Sequence, residues 1–193
     1  MTSRSPRFHE AMEAYNRGDA EQAVRMMEEC AWNNDPVACC LLASWYRTGD
    51  DCVPANISKS DEWLSRLEEL AEQDNVEAQW ELSMMYRFAA LLPLDIGRAN
   101  YWLERAAEGG YGEAQHHLAW YFETGQYGYP EDPEAAAEWY QRAFDQEHPE
   151  TLYVFAMKEF KDGQLTEEAF RLLRKAADKG FAQAAHILRS YAH

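Results

Sequence analysis

The residues best suited to acid–base or metal chemistry are two adjacent histidines, His116 and His117, with Glu113 one helical turn before His117. Neighbouring residues of a helix point about 100° apart, so the two imidazoles do not converge on one metal ion. Glu113 and His117 supply at most two ligands, whereas a catalytic zinc ion needs three. The pattern therefore favours a solvated pair at positions i and i+4 over a catalytic centre.

Four cysteines, Cys30, Cys39, Cys40 and Cys52, are the second set of reactive side chains. They crowd into one short stretch, without the spacing of a zinc site or the spread of a disulfide framework. We expect free, mostly buried thiols, with a metal or redox site as the alternative. The sequence also contains no P-loop, glycine-rich nucleotide fingerprint or nucleophile elbow. It therefore predicts no enzyme, no cofactor, no bound metal and no small-molecule substrate.

Composition excludes further classes of protein. The chain has 193 residues with 34 acidic and 18 basic side chains, for a formal net charge of -16. No apolar stretch approaches the roughly 20 residues of a membrane span, and the acidic excess argues against nucleic-acid binding. The 7 Trp, 11 Tyr and 8 Phe exclude a disordered chain. Because no apolar segment follows the first arginines, we expect no signal peptide, no membrane contact and a cytoplasmic location.

Two kinds of helix must position these residues, and both recur. Tryptophans return at intervals of about 20 residues, which is typical of a repeat array. The A helix starts with a small residue, followed by Leu or Ala four residues later, an aromatic eight later and usually Gly eleven later. Its copies are Ala38, Leu42, Tyr46, Gly49; Ala78, Leu82, Tyr86, Ala89; Ala114, Leu118, Phe122, Gly125; and, more loosely, Arg7, Ala11, Tyr15, Gly18; Leu152, Ala156, Phe160, Gly163; and Ala184, Leu188, Ala192.

The B helix carries Ala or Ser, followed three residues later by a large apolar residue. The pairs are Ala23 and Met26, Ser60 and Trp63, Ala99 and Trp102, Ala136 and Trp139, and Ala169 and Leu172. Residues suited to N-caps precede four B helices, namely Asp19, Asp95, Asp132 and Thr166, and Asp35 does the same for an A helix. No strand-like alternation occurs.

These patterns predict an all-α fold, a right-handed α-solenoid of about five antiparallel helix pairs with a C-terminal capping helix. The whole chain, residues 1–193, is then a single domain. The predicted repeats are residues 7–35, 36–74, 75–110, 111–148 and 149–180, with the capping helix over 181–193.

The clearest repeat runs from Ala114 to Glu147. Its pattern residues are Ala114, Leu118, Gly125, Gly128, Asp132, Ala136, Trp139, Tyr140 and Ala143. This segment resembles a Sel-1-like repeat, a relative of the tetratricopeptide repeat. The resemblance implies a helical-repeat scaffold, adaptor or regulator, with A helices lining a concave groove and B helices forming the convex back.

A side-chain stripe beside the buried face of the A helices is the predicted binding surface. Aromatic, Met and Arg side chains are favoured at binding hot spots. We expect the anchors of a bound peptide or helix to be Trp80, Met84, Phe88, His116 and Trp120. We expect its acidic or carboxylate groups to be bound by Arg47, Arg87 and Lys158. The alternative is that these side chains merely pack between neighbouring A helices.

The sequence thus predicts a non-enzymatic protein–protein interaction module whose partner is another protein or a peptide. An alternative is an inhibitor, such as a cytoplasmic immunity protein that neutralises a toxic effector; an enzyme is a remote alternative. Most of the acidic excess falls on the predicted B helices. A basic partner would therefore have to dock on the back.

Overall fold

The computed structural model describes residues 4–49, 53–161 and 164–191. They form two compact units, unit 1 up to Gly109 and unit 2 from Gly110. Three residues named above, Cys52, Gly163 and Ala192, lie outside the described residues. The division falls one residue before the predicted boundary between the third and fourth repeats; a single continuous domain stays a prediction.

Unit 1 consists of three helix pairs, each formed by helices adjacent in the chain. The bounds are α1 Pro6–Asn16, α2 Ala20–Trp32, α3 Pro36–Thr48, α4 Ile57–Glu72, α5 Val76–Phe88 and α6 Ile96–Glu108. The odd-numbered helices are the predicted A helices and the even-numbered ones the predicted B helices.

Unit 2 repeats the same arrangement. Its helices are α7 Gly112–Thr124, α8 Pro133–Asp145, α9 Pro149–Lys158, α10 Glu167–Asp178 and α11 Ala182–Ser190. Helix α7 pairs with α8, and α10 packs against both α9 and α11. No helix among the described residues is long and apolar enough to cross a membrane.

The aligned pattern residues form the core of each unit. In α3 and α5, the small residues and leucines Ala38, Leu42, Ala78 and Leu82 are fully buried. Alanine at the start of each stripe lets helix backbones approach closely, and leucine one turn later fills the space between them. On the B helices, Trp63 and Trp102 are buried as well, as are Ala136 and Leu172. The interpretation as core is confirmed at these positions, whereas the aligned aromatic residues Tyr15, Phe122 and Trp139 are only half-buried.

The predicted N-caps are also confirmed. Asp35 Oδ1 accepts a hydrogen bond from the Ala38 amide at 3.1 Å, and Asp132 Oδ1 accepts one from Ala135 at 3.0 Å. Each bond satisfies a backbone N–H that the helix itself leaves without a partner. Equivalent bonds at the N-termini of α2, α6 and α10 come from Asp19, Asp95 and Thr166.

One element differs from the prediction. The fifth A helix should have continued through Phe160, but α9 ends at Lys158. Phe160 instead begins a two-residue strand, β1 Phe160–Lys161, which pairs antiparallel with β2 Gln164–Leu165. Phe160 lies opposite Leu165 in this ladder, and cross-strand pairing of the two apolar residues offsets the lost helical turn.

Candidate functional site

Three of the predicted anchors lie on one face of α5 in unit 1. Trp80 and Met84 are half-buried, whereas the Phe88 side chain is 60% exposed. Their spacing of four residues puts them on one helical face, one above the other. We call the surface formed by Trp80, Met84 and Phe88 the α5 face.

The two arginines predicted to flank these anchors have partners inside unit 1. Arg47 Nη2 donates to Asp61 Oδ1 at 2.8 Å and remains half-buried. Arg87 is only 3% exposed and donates from Nη2 to Asn100 Oδ1 at 2.9 Å. A surface position for Arg87 is therefore wrong. The last turn of α5 packs against α6, and the guanidinium bridges the two helices instead of facing a ligand.

In unit 2 the predicted site residues separate by exposure. Trp120 on α7 is 36% exposed and Lys158 at the end of α9 is exposed, so both are accessible. Lys158 Nζ lies 5.1 Å from the centroid of the Tyr140 ring, within the range of a cation–π interaction. His116 is only 6% exposed, and its predicted place on a binding surface is wrong because its ring is enclosed by α8 and α9.

His116 belongs to a polar cluster that the sequence did not reveal, with buried His148 and Thr151 at its centre and two partly exposed glutamates at its edge. Thr151 Oγ1 lies 2.9 Å from His116 Nδ1 and 3.1 Å from His148 Nδ1. His148 Nε2 lies 3.0 Å from Glu113 Oε2, and His116 Nε2 lies 3.8 Å from Glu150 Oε2. We call these five residues the histidine cluster.

The hydrogen bonds of the histidine cluster fix its protonation pattern. The Thr151 amide donates to His148 Nδ1, so the proton of His148 is on Nε2, directed at Glu113. The Thr151 hydroxyl has one hydrogen. All short contacts are satisfied when it donates to His148 Nδ1 and accepts from Nδ1–H of His116.

Two pKa values in the cluster shift for identifiable reasons. Burial, reinforced by the proximity of His148 and His117, lowers the pKa of His116 to about 3. The hydrogen bond from His148 lowers the pKa of Glu113, against the opposing effect of burial. The expected pair of Glu113 and His117 is only part of the arrangement, because the Glu113 carboxylate also faces His148, while His117 Nδ1 contacts the Glu113 carbonyl at 3.0 Å.

The structure also places the thiols and the potential metal ligands of the described residues. Within the described residues, no three His, Cys, Asp or Glu side chains are grouped to hold a metal ion. Cys30 and Cys39 are buried free thiols, and Cys40 is half-buried. Burial raises the pKa of Cys39 to about 12, so the reactive thiolate is scarce at neutral pH.

A cleft on the B-helix side of unit 1 is the second feature that sequence reasoning missed. Its volume is about 720 Å³. Residues of α4, α5 and α6 line it: Ser65, Glu68, Glu69, Glu72, Gln73, Tyr86, Arg98, Tyr101 and Trp102. Its only signal in the sequence is the run of glutamates on α4, which also describes an ordinary solvated helix face.

The sequence matches the model of the Sel1 repeat in four places, residues 36–70, 76–111, 112–148 and 162–181. Among curated proteins, it is 31% identical over 138 residues to an uncharacterised protein of Neisseria meningitidis serogroup B. That match covers 70% of this chain and 27% of the relative. The chain thus spans about a quarter of the length of that relative.

Two solved structures are similar to this chain. A Sel1 repeat protein from Oxalobacter formigenes shares 31% identity at a TM-score of 0.56, covering 66% of this chain and 98% of that one. The protective antigen c5321 of uropathogenic Escherichia coli, described as having an SLR fold, shares 24% identity at a TM-score of 0.57. The match covers 84% of this chain and 35% of the antigen's chain. The likeness to the antigen concerns the fold alone. The predicted fold class, an α-solenoid of antiparallel helix pairs, is confirmed.

Proposed function

Because the chain belongs to the Sel1 repeat family, whose members are generally protein-interaction modules, we propose that it is a non-enzymatic adaptor or regulator. It binds an apolar helix or peptide of a partner protein on the α5 face. The observation that carries this proposal is the exposure of Phe88, at 60%, in line with two further large apolar side chains on one helix.

The α5 face has the composition of a binding hot spot. Trp80 and Met84 are half-buried, so their rotamers are already restrained and little conformational entropy is lost when a partner covers them. Fully burying a side chain such as that of Phe88 contributes about 1.5–3 kcal/mol. A partner that covers this face therefore gains from apolar burial without a large ordering cost.

The charged residues of the predicted site contribute unequally. Arg87 and His116 are buried and have no part in the proposed contact. Arg47 is tied to Asp61. In unit 2, the accessible Trp120 and Lys158 form a second, separate contact for an apolar group and a carboxylate of the partner.

The test begins with capture of partners from an extract of the native cell by the immobilised chain. A captured protein is then purified and titrated against the chain. We expect Phe88→Asp to lower its affinity at least about tenfold, because the new carboxylate would be desolvated in the contact. The doubly truncated W80A/F88A variant should lose capture altogether.

The matched control is Trp32→Ala, because Trp32 is 65% exposed but lies on the B helix α2. This variant should bind as the unaltered chain does. Circular dichroism checks that each variant retains its helices. Retained affinity in both Phe88 variants would refute the α5 face as the contact. The titration also distinguishes an adaptor from an inhibitor. An adaptor needs a binding free energy of only about -8 kcal/mol, whereas an inhibitor of a lethal enzyme needs about -12 kcal/mol.

A further inference from the structure

The cleft between α4 and α6 of unit 1 has the size of a ligand site. Its volume of about 720 Å³ lies within the range of roughly 300–1,000 Å³ that is usual for pockets that hold ligands. Residues of α4 form one wall, residues of α6 the other, and Tyr86 of α5 lies between them. It shares no residue with the α5 face.

The α4 wall is negatively charged. Glu69 pairs with Arg66 at 2.9 Å, and Glu72 lies 3.4 Å from Arg105. Glu68 is exposed and accepts a hydrogen bond from the Tyr86 hydroxyl at 3.4 Å. It makes no ion pair with any of the residues that the structure describes. One carboxylate of the cleft is thus available to a cation from outside.

Aromatic rings complete the cleft, and the chain's own guanidinium groups already lie against them. The Arg98 guanidinium is 5.4 Å from the centroid of the Tyr86 ring and donates to the Tyr86 hydroxyl at 2.9 Å. The Arg105 guanidinium lies 5.8 Å from the Tyr101 ring and 5.3 Å from the Trp102 ring. These distances are those of cation–π contacts, so the cleft shows which ligand chemistry its rings accept.

We propose that this cleft binds arginine or lysine side chains from a basic segment of a partner protein. An incoming guanidinium pairs with the Glu68 carboxylate and lies against the Tyr101 ring, which is 51% exposed even with Arg105 beside it. The Arg98 side chain, at 65% exposure, moves aside as the segment enters. Glu69 and Glu72 already pair with Arg66 and Arg105, so Glu68 is the carboxylate that an uncharged segment would leave without a cationic partner.

The proposal is tested on the full chain with a fluorescein-labelled hexapeptide of alternating alanine and arginine, followed by fluorescence anisotropy. A peptide of alternating alanine and glutamine is the uncharged comparison. We expect the arginine peptide to bind and the E68Q/E72Q variant to bind it about tenfold more weakly, because two carboxylates are lost at constant shape. Tyr101→Leu should weaken it about threefold, and Tyr101→Phe should not.

A chain of net charge -16 attracts cations over its whole surface, so the control must match charge. The E21Q/E138Q variant removes two exposed carboxylates that lie outside the cleft and should change the affinity less than about twofold. Equal losses in the two double variants would show diffuse attraction only and overturn the proposal. Absence of binding to the unaltered chain, or an unchanged affinity in E68Q/E72Q, would overturn it as well. Capture of a partner on the α5 face should be unchanged in E68Q/E72Q, which separates this proposal from the α5 face.

Discussion

Thr151 joins two buried histidines through one hydroxyl, and this contact makes the interior of unit 2 sensitive to acid. His116 stays neutral in the fold because its enclosed ring and the neighbouring His148 and His117 oppose a charge. Glu113 stays ionised because His148 donates to it. Acid therefore acts on both groups in the same direction. Protonation of His116 places a charge in a buried site, and protonation of Glu113 removes an acceptor.

The first prediction is that the free energy of unfolding of unit 2 falls as the pH falls below about 6.5. The folded pKa of His116, about 3, is below its ordinary value of 6.5. Between these values the unfolded chain binds a proton that the folded chain does not. The loss for this group is at most about 1.4 kcal/mol per pH unit. The lowered pKa of Glu113 adds a further loss below about pH 4.5.

Urea unfolding at several pH values between about 7 and 4 measures this dependence. Many other carboxylates titrate in the same range. The informative quantity is therefore the difference in the pH dependence of the unfolding free energy between the unaltered chain and His116→Gln, whose hydrogen-bonding side chain does not titrate. The variant should show a shallower slope between about pH 6.5 and 4.5. Parallel slopes would contradict the assigned role of His116.

At the scale of single elements, the C-terminus of α5 has a residue that is poorly suited to its backbone conformation. The A-helix pattern places glycine there in other copies, and Gly125 at the end of α7 has φ +63°. In α5 the corresponding residue is Ala89, which adopts φ +50° and ψ +38°. A side chain with a Cβ is disfavoured in this left-handed region, and only glycine enters it freely.

We therefore predict that Ala89→Gly stabilises unit 1 by about 0.5–1 kcal/mol, because relief of the left-handed strain exceeds the added freedom of the unfolded chain. The matched control is Ala137→Gly, at an exposed site within α8, which should lose about 1 kcal/mol of helix stability. Chemical unfolding followed by circular dichroism measures both. A destabilised Ala89→Gly variant would show that the turn does not carry this strain.

At the scale of the whole molecule, the dominant fact is the formal net charge of -16. Many of the ion pairs are exposed, such as Arg171 with Glu168 and Arg7 with Glu29. Exposed pairs contribute little to stability, whereas an excess of one sign repels itself in the compact state. Repulsion between carboxylates should therefore outweigh the ion pairs in the response to salt.

We predict that raising the sodium chloride concentration from about 10 mM to about 500 mM increases the thermal midpoint, because the screening length falls from about 30 Å to less than 8 Å. Scanning calorimetry at neutral pH measures the effect. Potassium chloride, which screens equally, serves as the control for specific sodium binding. A midpoint that is constant or falls with salt would mean that the local ion pairs outweigh the repulsion.

The helix pairs could be predicted from the sequence because their determinants are local. Ala38, Leu42 and Tyr46 recur at helical spacing, and the N-caps lie where a side-chain oxygen can reach an amide three residues later. The family resemblance rests on the same positions. The prediction from local pattern failed at the end of α9, which was expected to continue through Phe160. There a strand partner later in the chain competed with the helix.

The candidate sites were less predictable because exposure depends on the neighbouring helices. The periodic pattern placed Trp80, Met84 and Phe88 on one face, and the structure agrees. The same pattern could not distinguish the exposed Phe88 from the buried Arg87. Arg87 is buried because it packs against another helix, where it donates a hydrogen bond to Asn100.

By itself the sequence determined the repeat, the helix types, their caps and the surplus of negative charge. Only the tertiary structure decided that His148 meets His116 at Thr151, and that glutamates of α4 and aromatic rings of α6 line an open cleft. The reason is physical. Helix formation and capping depend on residues three or four apart, whereas burial, shifted pKa values and clefts depend on side chains that are distant in the chain and that only helix packing brings together.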